Sequence, residues 1–210
     1  MKKITDFSFR DIVGKYVLIS DERKMIDRDL GYEEYVAYCY IDVDRGISFK
    51  VYAGIKDGNI DFIYYDNPYS TKSITLRYSA VGKLEVYNSV TADMEKQASE
   101  IESIYTPEWI VKTGIRDDLD FDPFRDKVYP DDLLIPVHTL KNGKQIREDL
   151  WVRPTRIYEH RLVGKTIESG KVISCGEELA ILKSGEEKCP VFGVTAEWLQ
   201  YYNQINECDS

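Results

Sequence analysis

Tyrosine is the residue type through which this 210-residue chain has most scope for chemistry: of its 16 tyrosines, ten lie between residues 30 and 90. Each offers a large ring with few rotors and a hydroxyl at its tip, a combination that binding surfaces enrich. Along this stretch the side chains alternate with period two, so Ala37, Cys39, Ile41, Phe49, Val51, Phe62, Leu76 and Val86 fall on one side of a sheet. Tyr38, Tyr40, Tyr52, Tyr65 and Tyr87, with Lys50 and Arg77, fall on the other. We expect these seven residues to form a partner-binding surface, unless the 92–105 helix or the second half of the chain packs on them and makes a second core layer.

Other reactive types are sparse. A Ser-His or Cys-His nucleophile must use His138 or His160, since there are only two histidines. His138 lies between Val137 and Thr139 on a strand and His160 in the charged run Tyr158-Glu159-His160-Arg161, so both read as solvated strand residues. No phosphate-binding glycine loop, dinucleotide fingerprint, H-E-x-x-H or G-x-S-x-G elbow occurs. Asp118-x-Asp120-x-Asp122 matches the start of a calcium loop, but Pro123 takes the glycine position and Tyr129 that of the bidentate glutamate. Cys39, Cys175, Cys189 and Cys208 form no C-x-x-C pair and read as reduced thiols. We therefore assign no catalytic residue, metal or cofactor.

Charge narrows the partners. Lys and Arg number 28 against 37 Asp and Glu, a net charge of −9, of which residues 1–90 carry −1 and residues 91–210 carry −8. Nucleic-acid binding draws on the opposite sign, and a single-strand stacking platform needs a basic groove that is absent here. An acidic surface suits a basic protein partner, or serves solubility alone. The N-terminal residues lack a signal-peptide apolar run, and no later stretch approaches membrane-spanning length, so the expected location is the cytoplasm.

Positioning these residues falls to short strands. Segment 47–55 places Ile47, Phe49, Val51, Ala53 and Ile55 on one face, between tight turns at Asp44-Arg45-Gly46 and Asp57-Gly58. With 16–20, 35–42, 60–65, 73–78 and 84–88 this makes about six antiparallel strands. Met94, Ala98, Ile101 and Tyr105 then recur at helical spacing behind a Thr91 cap, and Thr106-Pro107-Glu108 starts a short helix that Gly114 ends. Residues 115–132 read as a polar acidic connector. Beyond it Asn142-Gly143 marks a hairpin of 133–140 with 144–153, and strands follow near 156–163, 171–175, 178–183 and 189–193 before a helix from about 196 to 205.

Asp122-Pro123-Phe124-Arg125, Tyr129-Pro130-Asp131-Asp132, Trp151-Val152-Arg153, Gly164 and Gly176-Glu177-Glu178 occur in an order that resembles a diffuse group of uncharacterised bacterial proteins. The resemblance covers about residues 116–182, and Lys165-Thr166-Ile167-Glu168 departs from the apolar-Asn-Pro stretch of that group. It implies a small β-rich module and no catalytic residue.

The expected fold is α+β, predominantly antiparallel β: an N-terminal meander sheet with one or two helices, then a small β-barrel or sandwich with a C-terminal helix. The expected divisions are 1–90, a helical connector 91–115, and 116–210. The expected function is a non-enzymatic binding protein acting through protein–protein contact, with a toxin-immunity or phage-type inhibitor protein as its concrete forms. A small-ligand-binding protein or enzyme with a cleft between the halves is the alternative.

Overall fold

The computed structural model describes residues 1–21, 32–62, 74–158, 161–184 and 191–201. It is α+β and mostly antiparallel. The chain divides into two compact units, Met1–Pro107 with Lys127–Tyr129, and Glu108–Asp126 with Pro130–Ser210.

The first unit is built on a seven-stranded sheet. Its strands are β1 (Lys2–Lys3), β2 (Tyr16–Ser20), β3 (Glu34–Asp42), β4 (Gly46–Lys56), β5 (Asn59–Phe62), β6 (Thr75–Arg77) and β7 (Lys83–Val86). They pair in the order β1-β7-β2-β3-β4-β5, with β6 also on β4. Turn chemistry sets the hairpins. Asp57 (φ 52°) and Gly58 (φ 75°) both take the left-handed conformation that a two-residue hairpin requires. Between β3 and β4, the Asp42 carboxylate accepts the amides of Asp44 at 3.0 Å and Arg45 at 3.2 Å, a side-chain mimic of a backbone turn.

Both faces of this sheet are packed. One carries Val17, Ile19, Tyr35, Cys39, Phe49 and Leu84 under the N-terminal segment with its short helix α1 (Phe9–Ile12). The other is covered by α2 (Ala92–Tyr105), capped as expected by Thr91, whose hydroxyl accepts the Met94 amide at 3.4 Å. Met94 and Ile101 are buried there with Val36, Tyr38, Tyr40 and Ala53.

One expectation fails within β4. The register shifts so that Val36 faces Ala53 while Ala37 faces Val51, leaving Tyr52 as an extra residue. A bulge of one residue reverses the phase of everything after it. Ala53 and Ile55, expected beside Phe49 and Val51, therefore pack on the α2 face.

The second unit opens with α3 (Glu108–Thr113) and contains a closed barrel of β8 (Leu133–Lys141), β9 (Lys144–Tyr158), β10 (Arg161–Thr166), β11 (Glu178–Lys183) and β12 (Val191–Val194). Consecutive strands run antiparallel, so the first and fifth point the same way and the closing pair, β12 on β8, must be parallel. Gly193 sits at that seam, where a Cβ would lie 3.3 Å from Val137 and 3.4 Å from Leu179. The Asn142-Gly143 hairpin forms as expected, with φ of 52° and 74°. Residues 196–201 form α4.

Three strand expectations differ, and the one over 156–163 is divided between β9, which ends at Tyr158, and β10, which starts at Arg161. β9 continues through Pro154 to Tyr158, because the proline, which has no N–H to give, lies at a register irregularity opposite Gly164. Residues 171–175 are a loop, since the Lys171, Val172 and Ile173 amides turn onto the Glu148 carboxylate at 2.8–3.3 Å instead of entering a ladder.

The acidic connector is ordered by charge pairing. Arg116 holds Asp131 through two hydrogen bonds of 3.0 and 2.7 Å, and Arg153 holds Asp132 at 2.6 and 2.8 Å. Arg125, 3% exposed, reaches Asp122 and the carbonyls of Pro130 and Ile115. Here the Pro-Asp-Asp and Asp-Pro-Phe-Arg landmarks act as scaffold.

Candidate functional site

Residues facing one another across a sheet share a face, so the ladder places the expected site row by row. Tyr38 pairs with Lys50, and Lys50 with Thr75; Tyr40 pairs with Ser48, and Ser48 with Arg77. Tyr52 and Tyr87 pack against the same cluster as Tyr38 and Tyr40. Tyr65 lies outside the described residues, as do His160, Cys189 and Cys208.

The expected open surface is corrected by α2. Tyr38 and Tyr40 are only 4% and 2% exposed, because the helix's apolar stripe needs a partner and takes this face. Tyrosine hydroxyls on this face tie the helix down: Tyr38 donates to Glu102 at 2.9 Å and the neighbouring Tyr16 to the Met94 carbonyl at 2.8 Å. Tyr52, Tyr87, Lys50 and Arg77 remain half-buried. Burial lowers the Lys50 pKa.

Where α2 ends, Tyr40 and Arg77, which flank Ser48 in one row of the sheet, line a cleft of about 510 Å³. Ser48 between them is fully buried. The walls are Asp42, Asp44 and Arg45 from the β3–β4 turn, Thr75 and Arg77 from β6, and Ile104, Tyr105 and Pro107 from the end of α2. Tyr105 lies against Tyr40, ring centroids 4.5 Å apart. Arg77 donates through Nη1 to Ser48 Oγ at 2.7 Å, and the same nitrogen lies 3.7 Å from Asp42 Oδ2. Ile104 is 72% exposed at the rim.

Of the residues singled out in the sequence, Tyr40 and Arg77 meet in this cleft. Asp42, Asp44, Arg45, Thr75, Ile104 and Tyr105 were not singled out. The signals for them were the turn before Gly46 and the helical stripe ending at Tyr105.

The remaining candidates resolve as packing. His138 sits against Phe192 and Trp198, ring centroids 5.8 Å away in each case, and burial followed by the Arg147 charge lowers its pKa. Asp118 and Asp120 both hold the ammonium of Lys183 at 2.6 Å, so the cation on the acidic triplet is a lysine of the same unit. Among the described residues, no group of three or more His, Cys, Asp or Glu could hold a metal ion, and no helix is long and apolar enough to cross a membrane. No family model matches the chain. No curated protein and no solved structure matches it either.

The tyrosines carry a pH prediction. Burial raises the pKa of Tyr16, Tyr38 and Tyr40, and a 2.5 Å hydrogen bond to Asp61 pushes Tyr32 up to about 12. The folded state thus keeps these protons at a pH where the unfolded state releases them. Their stabilisation is complete below about pH 10 and falls as pH rises towards the folded values. Ultraviolet titration should show a delayed group of phenols that ionises together with unfolding. Simple ionisation of all phenols near pH 10 in the folded protein would refute it.

Proposed function

We propose that this protein is a non-enzymatic binding module acting through protein–protein contact, centred on the cleft at the end of α2. The observation that carries this reading is the composition of the cleft: two tyrosines and two arginines beside an exposed isoleucine. Tyrosine and arginine dominate interface hot spots, and an apolar rim residue excludes water around them. The partner, on this reading, meets the chain in a bacterial cytoplasm, as a toxin-neutralising or phage-type inhibitor protein would. The net charge of −9 favours encounter with a protein that is basic overall.

The test is affinity purification of tagged wild type and Arg77→Glu at low and moderate salt, with identification of what co-elutes. A stoichiometric protein held by wild type and released by Arg77→Glu is the expected result. Wild type eluting alone at both salts would remove the reading. The cleft volume also falls within the small-ligand range, and a thermal-shift metabolite screen then tests that second reading.

A further inference from the structure

We infer that the cleft binds a carboxylate, supplied by a single acidic side chain of the partner that is flanked by apolar residues. The inference rests on the protein-contact reading and names what the contact recognises. Its basis is Arg77. That guanidinium is held in place through Nη1 by Ser48 and Asp42, and no other partner of Arg77 is seen among the described residues. The Nε–Nη2 edge, the one whose two parallel donors match a carboxylate, carries no hydrogen bond to a described residue, and Arg77 lines the cleft.

The nearby acids refine the choice of anion. Asp42 accepts two turn amides with Oδ1 and faces Arg77 with Oδ2, so its charge is already engaged. Arg45 and Asp44 are exposed on the turn and line the same cleft. Two guanidiniums against two carboxylates leave the lining near neutral, which accommodates a monoanion better than a doubly charged phosphate. The Thr75, Tyr40 and Tyr105 side chains line the same space, and Ile104 with Pro107 offers apolar contact to the residues beside the acid. A second depression shares Asp44, Arg45 and Arg77 with this cleft and adds Tyr78 and Tyr129. The two arginines thus stand on the wall between two depressions.

The experiment follows arginine Nε–H resonances of the full chain, labelled with nitrogen-15, during titration with three probes: the blocked tripeptide acetyl-Leu-Glu-Leu-amide, its Gln counterpart, and inorganic phosphate. The Glu peptide should give a saturable shift of the Arg77 resonance, with the Gln peptide and phosphate each at least about tenfold weaker. Arg77→Lys, which keeps the charge but not the fork, should lose most of that affinity. Equal binding of the Glu and Gln peptides, tighter binding of phosphate, or no saturable shift would overturn the inference. The peptide comparison on wild type stands even if a variant fails to fold. Should the Glu peptide fail while Arg77→Glu still releases a partner on purification, the ligand class is wrong and the protein-contact reading survives.

Discussion

Replacing Asp131 or Asp132 with alanine should destabilise the second unit by about 3–5 kcal/mol, the cost of breaking a buried ion pair by removing one side of it. The carboxylates are 4% and 6% exposed, and the arginines facing them 13% and 25%. Each pair is joined by two hydrogen bonds, so truncation removes both from a guanidinium that water cannot fully reach. Thermal unfolding should move down by on the order of 10 °C. Asp132→Asn should cost less, because one acceptor survives and no cavity opens. A loss below about 1 kcal/mol in the alanine variants would show that these pairs behave like exposed ones and do not order residues 115–132.

Gly46→Ala should be the most damaging single substitution in the β3–β4 turn. At φ 72° an alanine is strained wherever it sits, and here its Cβ would lie 2.3 Å from the Val128 carbonyl oxygen. That oxygen accepts the Ile47 amide at 2.8 Å, so the backbone cannot move aside without breaking the bond. Conformational strain and a lost buried hydrogen bond together cost about 2–5 kcal/mol. Gly58→Ala is the matched control. Its φ is 75°, yet nothing lies within 4 Å of the added Cβ, so it should lose only about 1 kcal/mol. Urea midpoints measure both, and equal losses would mean that the Val128 contact adds nothing to the backbone preference.

How much of this was legible in the sequence follows from the range over which each feature is decided. The hairpins at Asp57-Gly58 and Asn142-Gly143 were readable because left-handed φ values belong to those residue types themselves. The cap at Thr91 and the stripe of α2 were readable for a similar reason, as four residues contain all the partners of the first turn. The common face of Tyr38, Tyr40, Lys50 and Arg77 followed from period two alone. None of these features needs knowledge of a distant residue.

Exposure, in contrast, belongs to whatever arrives from elsewhere. The tyrosine face carries the same residues whether or not α2 packs on it, and only the packed fold buries Tyr38 and Tyr40 while leaving Arg77 beside a cleft. Ala53 and Ile55 change sides because a register chosen by the β3 pairing inserts Tyr52 as an extra residue, and alternation carries no mark of that choice. The 115–132 stretch looks solvated because its charges are visible in sequence while the arginine forks that neutralise Asp131 and Asp132 are not. Residues 171–175 have strand-like content, but the amides of Lys171, Val172 and Ile173 go to Glu148, more than twenty positions away. By itself, the sequence determined the α+β class, the turns, the caps and which side chains share a face, since these depend on local backbone preference and on a period of two or 3.6 residues. Tertiary structure alone decided which face stays open, which charges are paired, and that Tyr40 and Arg77 meet Arg45 and Tyr105 in one cleft, because those outcomes depend on chain segments brought together only by folding.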